Sequence, residues 1–284
     1  MGGWRIRRVV TWTVWLSVLL VIAGMSAYHL LVLEPIGHTY LATLHPAADD
    51  LRKRCTNLVS TTQVLLLEEP PRDQASVGTT IANLRRASDE TRRELHDFAT
   101  VTEAIGPRPH VPISSSTYYR AITLKNHARG TIDQINEVLD EYDQLASFLA
   151  SYYAAHERIT SELMAFNAQT DLNVLVGRSP QLHATAADIL QQSEMLANLP
   201  TPRGLEDTVA KSIAIHKRAA HGFDALGSGL SPPVDNLIYG AAKELEATTE
   251  ENDASFDSLE HSLEALPVFT HIVELPEKIE RFKF

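Results

Sequence analysis

The 284-residue chain has a single cysteine, Cys55, few aromatics (7%), and not one Asp, Glu, Lys or Arg between Val9 and Leu33. Each scarcity excludes something. One thiol cannot close an intrachain disulfide, so any exported part must stand on packing alone. Cys55 follows Arg52, Lys53 and Arg54, not the small apolar residues of a lipid-attachment box. Its place on an apolar helical seam makes it a small core residue. None of the nine asparagines has Ser or Thr two places on, which leaves no N-glycosylation acceptor. Without alternating runs of Val, Ile and Thr, strands are poorly supported. Ala, Leu, Glu, Gln and Arg fill long stretches and predict an all-α chain. Catalytic signatures are missing too: no His-Glu-x-x-His, no paired-cysteine motif, no Gly-x-Ser-x-Gly and no phosphate loop. Gly227-Ser228-Gly229 has a linker's flexibility but no accompanying lysine. The expectation is a protein that is not an enzyme and holds no cofactor.

What is present begins with the charge-free run itself. As a helix, residues 9–33 reach about 37 Å, more than the ~30 Å hydrocarbon thickness of a bilayer. A cleavable signal has a shorter apolar region, about 7–15 residues, ending in small residues. Here the small residues Ala23 to Ala27 are followed by the apolar Leu30 to Leu33, so a retained signal anchor is expected. Trp4, Trp12 and Trp15 towards one end and Tyr28 towards the other suit the two interfaces. Arg5, Arg7 and Arg8 precede the span, whereas Glu34, Asp49 and Asp50 follow it. The positive-inside bias predicts a cytoplasmic N-terminus (residues 1–8) and an extracytoplasmic remainder, in a single-pass protein of a bacterial cell envelope. All 36 acidic residues lie after the span with 22 of the 25 basic ones, a net charge of about −14 there. That balance argues against nucleic acid or an anionic lipid surface as the main partner.

Beyond the span, apolar residues recur every three or four positions. Leu41, Leu44, Ala48, Leu51, Cys55, Leu58, Thr62 and Leu65 form one stripe; Val77, Ile81, Leu84, Ser88, Thr91, Leu95, Phe98, Thr102 and Ile105 form a second. The spacing predicts helices over about 38–68 and 73–105, reversed at Glu69-Pro70-Pro71-Arg72. Further helices are predicted over about 115–169, 181–198, 204–226 and 232–264, the first with Gly130 as its weak point. Residues 34–265 form the extracytoplasmic part, and 266–284 a tail. In that tail "VFTHIV" suits an extended segment, and Pro276 the start of a last helical turn. Ser231 and Pro232 suit an N-cap and first helical position after a "GSGLSPP" turn. The halves 34–105 and 181–264 flank the long helix. The architecture expected is an elongated, antiparallel, coiled-coil-like bundle, three to four helices in cross-section.

Four groups of residues invite a functional reading. His156 and His216 fall on apolar stripes of helices that pair if antiparallel, and facing each other they could hold haem or a metal ion; the plainer alternative is two seam-edge histidines. Ser88, Thr91, Thr102, Thr62, Thr248 and Asn252 interrupt the seams, either to line a ligand pocket or, as polar seam residues do, to fix register. Arg85, Arg86, Arg92 and Arg93 form two basic pairs that could dock an acidic partner, or else pair with Asp89, Glu90 and Glu94. Arg5, Arg7, Arg8, Trp12 and Trp15 would set the anchor.

These features favour a structural or interaction protein that presents helix faces to envelope proteins or to itself. The alternative is a ligand-sensing domain, which resembles in general form the helical extracellular parts of chemoreceptors and sensor kinases. It departs from them in having about eight residues inside and no second span, so its signal would pass through a partner's membrane helix. Haem or metal binding is the weaker third reading.

Overall fold

The computed structural model describes residues 3–68, 74–106, 117–167, 177–230 and 234–282. The Pro70-Pro71 turn, the prolines after Gly106, residues 171–176 and the Ser231-Pro232 cap lie outside the described residues. Among those described, every regular element is helical and none is a strand. The helices are α1 (Gly3–Tyr28), α2 (Glu34–Gln63), α3 (Gln74–Ala104), α4 (Thr117–Asn167), α5 (Ser179–Asn198), α6 (Glu206–Gly229), α7 (Asp235–Glu264) and α8 (Pro267–Glu280). Two π-helical turns, His29–Leu33 and Val64–Glu68, precede and follow α2.

α1 does not stop where the sequence suggests a joint. Pro35 has no N–H to offer the Leu31 carbonyl, and its ring crowds that oxygen. The chain answers by widening: the Glu34 N–H reaches back five residues to the His29 carbonyl. Helical geometry then continues through Gly37 into α2. The resulting helical stretch, Trp12–Leu67, has 56 residues and is, among those described, the one long and apolar enough near the N-terminus to cross a membrane.

The chain divides into two compact units, and α2, α3, α4 and α8 each contribute to both: residues 1–53, 93–135 and 276–284 form unit 1, and residues 54–92 and 136–275 form unit 2.

In unit 1 the start of α4 is tied to the start of α2. The Glu34 carboxylate accepts from the backbone N–H of Thr117 (3.3 Å) and from its hydroxyl, satisfying donors that a helix N-terminus leaves open. The acid also suits that end of the helix dipole. Gly37 lets the two backbones touch, since a Cβ there would lie 2.3 Å from the Tyr118 nitrogen. Tyr40 and Tyr118 lie alongside at a tilt, ring centroids 5.9 Å apart. At the far end of α3, Lys125 Nζ donates to the carbonyls of Glu103 (3.2 Å) and Ile105, a cation where the dipole is negative.

In unit 2 side-chain pairs join α2, α3 and α4. Arg54 meets Glu90 at 2.8 Å, Ser88 Oγ donates to Asp143 at 2.7 Å, and Arg92 bonds both Asp140 and Asp143. An apolar cluster draws on α4, α5, α6 and α7, with Ile159, Ile189, Ala219, Leu226 and Leu245 fully buried. Each such Leu or Ile contributes about 2 kcal/mol by leaving water. Cys55 is buried as expected, and burial pushes its thiol up to about 12. Maleimide at neutral pH should therefore leave the native protein unlabelled and modify it fully in denaturant, because the thiolate is the reactive form.

Two local expectations are corrected. Gly227-Ser228-Gly229 is not a turn but the last turn of α6, which runs to Gly229. A Cβ on Gly229 would lie 3.1–3.3 Å from Leu237 and Ile238, so glycine serves close packing there. "VFTHIV" is helical, not extended, and Pro276 sits inside α8 instead of starting a turn. The helix buries Phe269, Ile272, Leu275, Ile279 and Phe282 on one side, which an extended segment could not do. Gly130 causes no break in α4.

Candidate functional site

Helix pairings in unit 2 bring the two stripe histidines to one level of the core. α5 runs against α6, with Ser179 Oγ bonded to the Gly227 carbonyl (2.8 Å) and His183 Nδ1 to Asp224 (2.7 Å). α7 runs against both α6 and α4, through Thr208–Ser262 (3.2 Å) and Asn167–Thr249 (3.3 Å). Carried along these registers, His156 of α4, Ser193 of α5, His216 of α6 and Asn252 of α7 share a cross-section.

The layer is polar and internally bonded on one side. Tyr152 Oη lies 2.7 Å from Ser212 Oγ, which lies 2.6 Å from Ser255 Oγ. Asn252 Nδ2 donates to Thr160 Oγ1 (2.9 Å), itself 3.4 Å from His156 Nε2. The His156 ring stacks on Phe256, centroids 4.5 Å apart. Opposite, His216 is 1% exposed and neither ring nitrogen has a hydrogen-bond partner among the described residues. Ser193 Oγ is in the same condition. Desolvation lowers the pKa of both histidines to about 4; the Asn252 bond partly offsets this at His156, and proximity to His156 adds to it at His216.

Chemically, this is a pair of neutral bases in a dry core. Among the described residues, no three His, Cys, Asp or Glu side chains are grouped to hold one metal ion. The charged residues of the same helices face outward in half-exposed pairs, Arg158 with Asp188 and Arg218 with Glu251.

No family model, curated protein or solved structure matches this chain.

The polar seam residues are engaged in hydrogen bonds. Thr62, Thr91, Thr102 and Thr248 each donate to the carbonyl four residues back, and Ser88 and Asn252 bond across to α4. Arg92 of α3 is engaged with Asp140 and Asp143 of α4, and Glu90 of α3 pairs with Arg54 of α2. Arg85 reaches Ser147 Oγ at 3.5 Å, and Arg85, Arg86 and Arg93 are exposed. Trp12 and Trp15 are exposed on α1. Arg5, Arg7 and Arg8 lie in α1, with side chains outside those described. Sequence reasoning missed Glu34, the acid that joins α2 to α4; its only signal was a carboxylate directly after the apolar run.

Proposed function

We propose that the chain is a membrane-anchored extracytoplasmic protein whose elongated, antiparallel, coiled-coil-like bundle, three to four helices in cross-section, acts as a structural or protein-interaction module in a cell envelope. The observation that supports this reading is the helical stretch Trp12–Leu67. Its first part exposes Leu16, Leu19, Leu20, Val21 and Ile22, whereas its later part buries Leu44, Leu51 and Leu58. One element thus serves lipid at one end and a protein core at the other, and no leash separates them.

The cytoplasmic end would be the one bearing Arg5, Arg7 and Arg8. Protein partners or a second copy would dock on exposed helix faces, those with Arg85, Arg86 and Arg93 suiting an acidic surface. Protease added to intact cells is expected to remove the residues beyond about 40 and leave a short anchored fragment. Photo-crosslinkers at positions 86 and 93 are expected to trap an envelope protein or another copy. Protection of the whole chain until lysis would overturn the topology.

A second reading, a sensing domain acting through a membrane partner, draws on the same unbroken helix, which passes tilt or rotation between the extramembrane part and the span. A thermal shift with one compound of a metabolite panel would favour it.

A further inference from the structure

The acidity of the chain is confined to one unit. Unit 2 carries 27 Asp and Glu against 12 Lys and Arg, while unit 1 carries 9 against 13. Within unit 1 a cleft of about 530 Å³ opens between α4 and the end of the chain after α8. His127, Thr131 and Gln134 stand at helical spacing on one face of α4; Lys278 and Arg281 face them, over the apolar Leu124 and Phe282. Phe282 is itself fixed edge-on against Phe98, 5.5 Å away. Among the described residues, no Asp or Glu lines the cleft.

We propose that this cleft binds an anion carrying a phosphate group. Arg281 supplies a planar fork for two phosphate oxygens, Lys278 a compact charge, and His127 and Gln134 further donors, while the Thr131 hydroxyl is spent on the His127 carbonyl at 3.2 Å. An apolar wall behind a few convergent polar groups and a volume of several hundred cubic ångströms are the ordinary make-up of a small-ligand site.

The same chemistry is found on lipid headgroups and on dissolved phosphates, and helix geometry separates them. His127 is ten residues along α4 from Thr117, which bonds Glu34 at the end of the apolar run. At about 1.5 Å per residue His127 lies about 15 Å beyond that level and Leu124, where the cleft begins, about 10 Å. A headgroup layer is only about 5–8 Å deep. On the reading of α1 as the membrane span, the cleft stands clear of its own bilayer, and the ligand is water-borne.

The test uses the full chain in phosphatidylcholine nanodiscs. Inorganic phosphate at ten times its dissociation constant is expected to raise the unfolding midpoint by about 3–5 °C, with sodium chloride at matched ionic strength giving no such rise. The shift should vanish in the Lys278→Gln/Arg281→Gln double variant and persist in Lys211→Gln/Lys217→Gln, an equal charge change on exposed residues of unit 2. No rise with phosphate, an equal rise in the first double variant, or loss in both would overturn the proposal. A rise seen only when phosphatidylglycerol replaces part of the lipid would assign the cleft to a headgroup and overturn the water-borne ligand. None of these outcomes depends on which way the chain crosses the membrane, so topology and anion binding fail separately.

Discussion

Acidifying the protein from pH 7 to pH 4 is expected to destabilise unit 2 by roughly 3 kcal/mol for each of His156 and His216. Both rings stay neutral in the folded core down to about pH 4, because burial penalises the imidazolium. In the unfolded chain they take up protons from about pH 6.5 downward. Between these values the unfolded state binds more protons, so stability is full above 6.5, falls as pH drops, and levels off below 4. Hydrogen exchange followed by mass spectrometry should show α4–α7 losing protection across that window. His216→Leu should remove about half the slope and cost little at pH 7, because neither ring nitrogen gives up a hydrogen bond. A flat profile, or an unchanged slope in the variant, would sink the assignment of a dry histidine layer.

The second large effect is expected at Gly37. Adding one methyl group puts a carbon 2.3 Å from the Tyr118 nitrogen and 2.6 Å from the Thr117 carbonyl carbon, and neither can turn aside as a side-chain tip would. The start of α4 must move, which also strains the Glu34–Thr117 bonds. Gly37→Ala should cost about 3 kcal/mol or more, at the upper end of overpacking. Gly130→Ala is the opposing control. Its added methyl group meets nothing within 4 Å, and replacing a mid-helix glycine should stabilise by up to about 1 kcal/mol. Denaturant midpoints of the full chain measure both, and equal effects would refute the close approach.

The helical pattern was legible because long amphipathic helices repeat their signal many times. The stripe from Leu41 to Leu65 states one face eight times over, and a single polar interruption does not erase it. What escaped were features decided by one residue or by tertiary placement. Gly227 and Gly229 have the composition of a linker, yet the close approach of His183 to the one and of Leu237 and Ile238 to the other is invisible before the fold is known. In "VFTHIV" six residues fit either period; the longer series Phe269, Ile272, Leu275, Ile279, Phe282 favours the helix, and Pro276 within it distracts. Of the candidate sites, the stripes place His156 and His216 each on an apolar face, but only the register of the helices brings them to one level. The pairing of Arg92 was not readable, because Asp140 and Asp143 lie far along the chain from it. The charge partition was hidden for the same reason: a net −14 averages over segments that the fold sorts into different units.

The widened turn at His29–Leu33 carries a consequence for how α1 meets its surroundings. A π-helical turn spends one residue more than an α-turn, and one residue is worth about 100° of rotation around the axis. Deleting a single residue there would leave a continuous rod of nearly the same height. It would nonetheless swing Trp12, Trp15 and Gly24 to a different azimuth relative to Glu34 and Gly37. Which side of α1 greets a neighbour is thus set by the bulge that Pro35 demands, and a one-codon change could redirect it without unfolding anything.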